Sequence, residues 1–206
     1  ALKTEHKKIL ADTITPVSVY LKLRDVFPHS LLLESSDYHA NKNDFSYICC
    51  NPIASIELKK NMLISQFPDG SSELEDVDLN MNIPERIHQF SKQFKSKSFP
   101  FKFISNGIFG YVGHDAVDRF ENIELDKKKP GSDIPDIYYA VYQNIIAISL
   151  FNHEAHLFSH IYNGNHNLND VEALLTAKNN SHFNFKKVGE KSSNLSDEQF
   201  IEFVKK

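Results

Sequence analysis

Ten histidines and two cysteines are the residues of this chain with the widest chemical range, so their spacing is read first. His153 and His156 lie three apart. On a strand an odd separation sends side chains to opposite faces, so they cannot chelate together. His156 and His160 do share a face, with Phe158 and Tyr162 beside them. Two imidazoles with no evident third ligand make a poor zinc site, and a solvent-facing strand is the plainer expectation. Cys49 and Cys50 are adjacent, hence also on opposite faces and badly placed to bridge. The Phe-Ser-Tyr-Ile run before Cys49 reads as core, not as the setting of a nucleophile. Gly107, Gly110 and Gly113 recur every three residues. That is neither a dinucleotide loop nor a phosphate loop, and it reads as a strand that another backbone or a ring approaches closely.

No G-x-S-x-G elbow and no H-E-x-x-H helix occurs. No carboxylate pair shares an apolar face as an acid–base couple would. No catalytic residue and no metal ligand is therefore assigned. The most informative local feature is Leu31-Leu32-Leu33-Glu34-Ser35. Side chains alternate along a strand, so Glu34 or Ser35 should point into an apolar layer. A buried carboxylate or hydroxyl needs a partner, which is either a backbone group or the ammonium or amide of a ligand.

The elements that must position these residues follow from periodicity and punctuation. Thr15 can cap a helix that Pro16 opens, with Val17, Tyr20 and Leu21 on one face and an end near Pro28. Leu31–Ser36, Phe45–Cys50, Ile53–Leu58 and Met62–Phe67 read as short strands. Their links are so short that they must pair antiparallel. Ile83–Phe94 is helical, with Ile83, Ile87, Phe90 and Phe94 in one stripe. A polar loop, a strand over Gly107–Gly113, a short helix over His114–Glu121 and a loop over Lys127–Pro135 come next. Ile137–Leu150 and Ala155–Tyr162 form a long hairpin, and Asp170–Lys178 a helix packing Val171, Leu174 and Leu175. This order predicts an α+β fold of mostly antiparallel sheets with flanking helices. Ser196-Asp197-Glu198-Gln199 is a capping box followed by Phe200, Ile201, Phe203 and Val204. A helix of barely three turns is marginal without tertiary partners.

Composition narrows the function classes. A chain of 206 residues, 41% hydrophobic, supports one large domain, or one plus a fragment of the next, with a substantial core. A net charge of −4 offers no footprint for nucleic acid or an anionic membrane, and Lys127–Lys129 reads as a solvated loop. No apolar run reaches the length of a membrane span, and the paucity of cysteine suits a reducing cytoplasm.

Several stretches resemble one family in its own order. Leu31-Leu32-Leu33-Glu34-Ser35 is similar to the LLES segment of the large component of anthranilate synthase, component I, among the chorismate-utilising enzymes. Phe45-Ser46-Tyr47-Ile48 with Asn51-Pro52 resembles its R-[YF]-S-F-I-G-x-x-P stretch. Gly107–Asp115 resembles G-G-L-F-G-Y-x-G-Y-D, Pro135-Asp136-Ile137-Tyr138 its P-D motif, and Asn194–Lys206 the helix opening the catalytic domain. Asp44, Cys49, Val112 and His114 depart from that pattern. The resemblance implies residues 1–190 as an N-terminal, regulatory, tryptophan-binding type of domain, and 191–206 as the start of a chorismate-binding domain cut short. It implies a cytoplasmic parent lyase that makes anthranilate and pyruvate from chorismate, the first committed step of tryptophan biosynthesis. A glutamine amidotransferase subunit would be its partner and would supply ammonia. Tryptophan would be the feedback inhibitor, with Leu33, Glu34 and Ser35 as its contacts. Mg²⁺ and the catalytic residues would belong to the missing catalytic domain, leaving this chain without cofactor and inactive by itself. The alternatives are aminodeoxychorismate synthase of folate synthesis, a stand-alone amino-acid-binding module, and a purely structural β-domain.

Overall fold

The computed structural model describes residues 2–34, 45–78, 81–121, 123, 133–149, 151–177, 186–190 and 192–205, without the side chain of Asp115. Ser35, Ser36, Asp44 and residues 127–129 lie outside that set. The architecture is α+β, as the sequence predicts. Two long strands organise it: β3 (Ser46–Lys59) and β7 (Ile137–Ser149), paired antiparallel. On the free edge of β3, β2 (Leu31–Leu33) pairs with its first half and β4 (Met62–Gln66) with its second. On the other edge of β7, β6 (Phe109–Val112) pairs with its start and β8 (Glu154–Ile161) with its end. β1 (Lys3–Leu10) closes one side against β8, and β5 (Ser72–Asp76) the other against β4. Every one of these ladders is antiparallel.

The sequence reading splits β3 in two at Asn51-Pro52. The strand instead runs through, with a register shift between Pro52 and Ala54. Asn51 takes a left-handed backbone with φ of 59°, which asparagine tolerates better than most residues. The irregularity removes the need for a ladder hydrogen bond from proline, so Pro52 sits inside a central strand without breaking it.

Helices cover one face of the sheet. α1 (Pro16–Arg24) starts at a capping box in which the Thr15 hydroxyl accepts from the Ser18 N–H, and Ser18 returns the bond. Its buried stripe is Pro16, Val19 and Leu23. The expected face with Val17 is wrong, since Val17 is exposed. α3 (Leu168–Thr176) buries Leu168, Val171 and Leu175 beside it. Together they cover Ile48, Cys50, Ile146, Ile148, Ala155 and Leu157. α2 (Ile83–Lys92), capped by Asn82, lays Ile83 and Phe90 on the same face past the bulge, over Ile56, Leu58, Ile137 and Val141. α4 (Asp197–Lys205) forms its capping box through Ser196 and Gln199, and its apolar side chains Phe200, Phe203 and Val204 stay exposed.

The opposite face carries Cys49, Tyr142, Ile145 and Phe158. Adjacent pairs such as Cys49 and Cys50 or Ile145 and Ile146 thus serve different cores, as strand alternation requires. Over this face runs the segment bearing Phe99, Phe101 and Phe103. Phe101 and Phe103 stack with centroids 4.8 Å apart, and Phe99 meets Phe158 edge-on at 5.3 Å. This layer corrects the expectation of a solvent-facing β8. His156 is 7% exposed and His160 fully buried. His6 Nε2 lies 3.1 Å from His156 Nδ1, and Thr4 Oγ1 lies 2.8 Å from His160 Nδ1. Burial lowers the pKa of all three rings, that of His160 to about 4, which favours their neutral, hydrogen-bonding forms.

Candidate functional site

A cavity of about 460 Å³ opens where β2, β3, β6 and β7 meet. The β2 wall is Leu31 and Leu33, while Leu32 turns the other way and packs against the α1 core. The resembling segment is thus divided by strand alternation. Leu33 lines the cavity and is 40% exposed at its mouth. Glu34, just past the strand end, is exposed and does not line it. Ser35 lies outside the described residues.

Three strands supply the floor. Glu57 of β3 faces Tyr138 of β7 in the ladder, and Tyr138 faces Tyr111 of β6. These side chains form one lateral row, Glu57–Tyr138–Tyr111, because directly opposed residues share a face. The two tyrosine rings stack with centroids 6.1 Å apart and planes inclined by 27°. Burial raises the Tyr138 pKa first, and the Glu57 carboxylate raises it further. Burial likewise raises Tyr111, followed by Glu57 and Asp136. The Tyr142 phenol at the back donates to the His29 carbonyl at 3.0 Å, and burial pushes its pKa far above the usual tyrosine range.

Gly110 explains why β6 can sit so close. A Cβ there would fall 1.9 Å from the Tyr138 carbonyl oxygen. Close backbone approach, the sequence expectation for this glycine run, therefore holds at Gly110 and, at 3.1 Å from the Asp136 carbonyl oxygen, at Gly113, whereas a Cβ at Gly107 would meet only the Ile104 side chain at 4.0 Å. Gly113 follows with its N–H donating to the Asp136 carbonyl at 2.7 Å.

Sequence reading finds the β2 side of this cavity and misses Glu57, Tyr111 and Tyr138 as partners. The signal exists only in the register of three strands, because each residue alone is an ordinary strand position. The arrangement is an aromatic and aliphatic hollow with one carboxylate, which can hold a ligand. Nothing in it pairs a nucleophile with a base. Among the described residues no group of three or more His, Cys, Asp or Glu could hold a metal ion, and no helix is long and apolar enough to cross a membrane. A second hollow, of about 450 Å³, lies beside Phe67, Asp69 and Phe94. Its carboxylate is already engaged by the Ser71 hydroxyl and N–H.

No family model matches the chain. Anthranilate synthase component 1 of Lactococcus lactis is 29% identical over 153 residues, covering 72% of this chain and 30% of that protein. The proteins of the same name from Neisseria meningitidis serogroup B and Mycolicibacterium smegmatis are 26% and 27% identical, over 73% and 72% of this chain. The chain is a relative of anthranilate synthase component 1. It spans about 30% of the length of these component 1 relatives. A solved component I from Streptococcus pneumoniae TIGR4 superposes on 82% of this chain and 35% of its own, at a TM-score of 0.44 and 19% identity.

Proposed function

We propose that this chain is the regulatory part of an anthranilate synthase component I, and that it reads tryptophan in the cavity beside β2. The observation that carries the reading is the similarity to proteins of that name over 72% of the chain. The position of Leu31 and Leu33 on the cavity wall supports it, since they belong to the segment that resembles the family's inhibitor site. Leu33 on the cavity wall is a proposed contact, together with Glu34 and Ser35, which follow it in sequence, although Glu34 as described does not line the cavity. In this reading tryptophan acts by binding one state of the enzyme better than another.

The lyase chemistry on chorismate, its Mg²⁺ and the docking of a glutamine amidotransferase subunit are assigned to the part of the relatives that this chain does not span. The described residues do not fit a magnesium site, so no step is routed through a metal here. What the chain itself contributes is an apolar hollow that strips water from an indole ring, with polar groups at its rim that orient the amino acid.

The chain contains no Trp, so a bound indole fluoresces against a background of tyrosine only. Titrating tryptophan into the purified chain should give a saturable change in indole emission. Ser35→Phe should weaken it by roughly 10- to 100-fold, the value of a lost hydrogen bond to a charged ligand group. Absence of any saturable signal up to the solubility limit, or unchanged binding in a well-folded Ser35→Phe protein, would refute the reading. The purified chain should form no anthranilate from chorismate with Mg²⁺ and ammonia. Production of that fluorescent product would place the chemistry within these residues after all.

A further inference from the structure

Among the described residues, Glu57 stands beside aromatic and aliphatic side chains without a counter-charge. No lysine, arginine or histidine among the described residues pairs with it. Lys59, two positions along the same strand face, is turned to Asp133 at 3.7 Å. A second carboxylate, Asp136, also acts on Tyr111. The local field at the cavity floor is therefore negative. The ring faces of Tyr111 and Tyr138, stacked side by side, add the negative part of their quadrupoles. A carboxylate at the end of a row of tyrosine rings attracts an organic cation twice over, by charge pairing and by cation–π contact. The apolar walls at Leu31 and Leu33 favour a cation that carries a hydrophobic body.

We propose that Glu57, Tyr138 and Tyr111 form a cation subsite that admits ligands bearing an ammonium group on an aromatic body and rejects their anionic analogues. This rests on the reading of the cavity as a small-molecule site, and it adds a charge rule that the β2 segment does not provide. Rejection follows from the same geometry. A carboxylate ligand without an ammonium would leave Glu57 facing a like charge in a partly desolvated hollow, which costs affinity without compensation.

The test compares three indoles on the purified chain: tryptamine, which has only the ammonium; indolepropionate, which has only the carboxylate; and tryptophan, which has both. Binding is followed by indole emission and by amide chemical shifts of Gly110, Tyr111 and Tyr138. Tryptamine should bind and shift those amides, and indolepropionate should bind at least about tenfold more weakly. Glu57→Gln, which keeps shape and hydrogen bonding but removes the charge, should weaken tryptamine by about tenfold or more and abolish the preference. Tyr111→Leu should weaken tryptamine while leaving the sign of the preference unchanged, and it guards against a Glu57 variant that fails to fold. Tryptamine that leaves the cavity amides unmoved, or a preference that survives in folded Glu57→Gln, overturns the subsite. Tryptamine binding without tryptophan binding supports the subsite while sinking the tryptophan reading. Tryptophan binding that is equal in wild type and Glu57→Gln does the reverse.

Discussion

Replacing Gly110 with alanine tests the placement of β6 and with it the cavity floor. The added Cβ would meet the Tyr138 carbonyl oxygen at 1.9 Å, its carbon at 2.8 Å and Tyr139 Cα at 2.8 Å. All three are backbone atoms of the central strand β7, so none can swing aside as a side-chain tip could. Unstrained carbon contacts need about 3.5 Å, so β6 must retreat by roughly 1 Å or more. That stretches the ladder Phe109–Val112 against Ile137–Ala140 beyond hydrogen-bond range and starts to uncover Phe109, which is 5% exposed. Overpacking costs about 1–3 kcal/mol, and each lost ladder bond adds about 1 kcal/mol, giving a total on the order of 3–5 kcal/mol. Gly70→Ala is the control. Its φ of +84° strains any L-residue, but nothing lies within 4 Å of the new Cβ. Strain of that kind alone costs about 1–2 kcal/mol. Urea unfolding of both variants, with amide exchange across β6, separates a global loss from a local detachment. The reasoning fails if Gly110→Ala is no less stable than Gly70→Ala and its β6 amides remain protected.

Two further outcomes follow from burial. His6, His156 and His160 all have folded-state pKa values below the ordinary 6.5, with burial the leading cause in each, so the unfolded chain binds protons more readily. Stability should therefore be complete above pH 6.5 and fall as pH drops from there toward 4. His160 alone is worth about 3 kcal/mol across that window. Urea midpoints at intervals through it should fall less steeply for His160→Gln, and an unchanged slope would contradict the burial assignment. Both thiols are buried and burial raises both, Cys50 to about 12, so a disulfide reagent should react slowly with native protein and consume two thiols per chain once it is unfolded. Fast native reaction at either cysteine would show that the sheet opens where it is described as closed.

The parts of the fold legible in sequence are those set by local rules. The Thr15 cap, the α2 stripe, the β7–β8 hairpin and the α3 apolar positions all rest on neighbours within a few residues. The parts that escaped depend on what lies across the sheet. β1, with sequence KTEHKKIL, and β5, with SELED, are polar edge strands whose stability comes from ladder bonds, so composition does not mark them. β8 looked solvent-facing because two histidines alternate along it. Its cover is a stretch read as a polar loop, in which Phe99, Phe101 and Phe103 alternate strictly. That period of two was present in the sequence, and it identifies an apolar strap even where no strand forms.

Buried groups that could do acid–base or nucleophilic work are all pushed toward their neutral forms: His160 downward, Cys50 and Tyr142 upward, with burial the first cause each time. His160 and Cys50 are also placed among hydrogen-bond partners or core side chains away from the cavity, whereas Tyr142 lines it. His160 bonds Thr4 under the strap, and Tyr142 spends its proton on the His29 carbonyl. A general base needs the opposite combination, a poised pKa within reach of a ligand. Among the described residues that line the cavity, Glu57 and His29 are within reach of a ligand, and Glu57 lies beside tyrosines whose pKa values it raises. A carboxylate that drives its neighbours further from ionisation cannot deprotonate them at neutral pH. It can pair with a cation arriving from solvent, which is the behaviour that the proposed subsite requires of this end of the sheet.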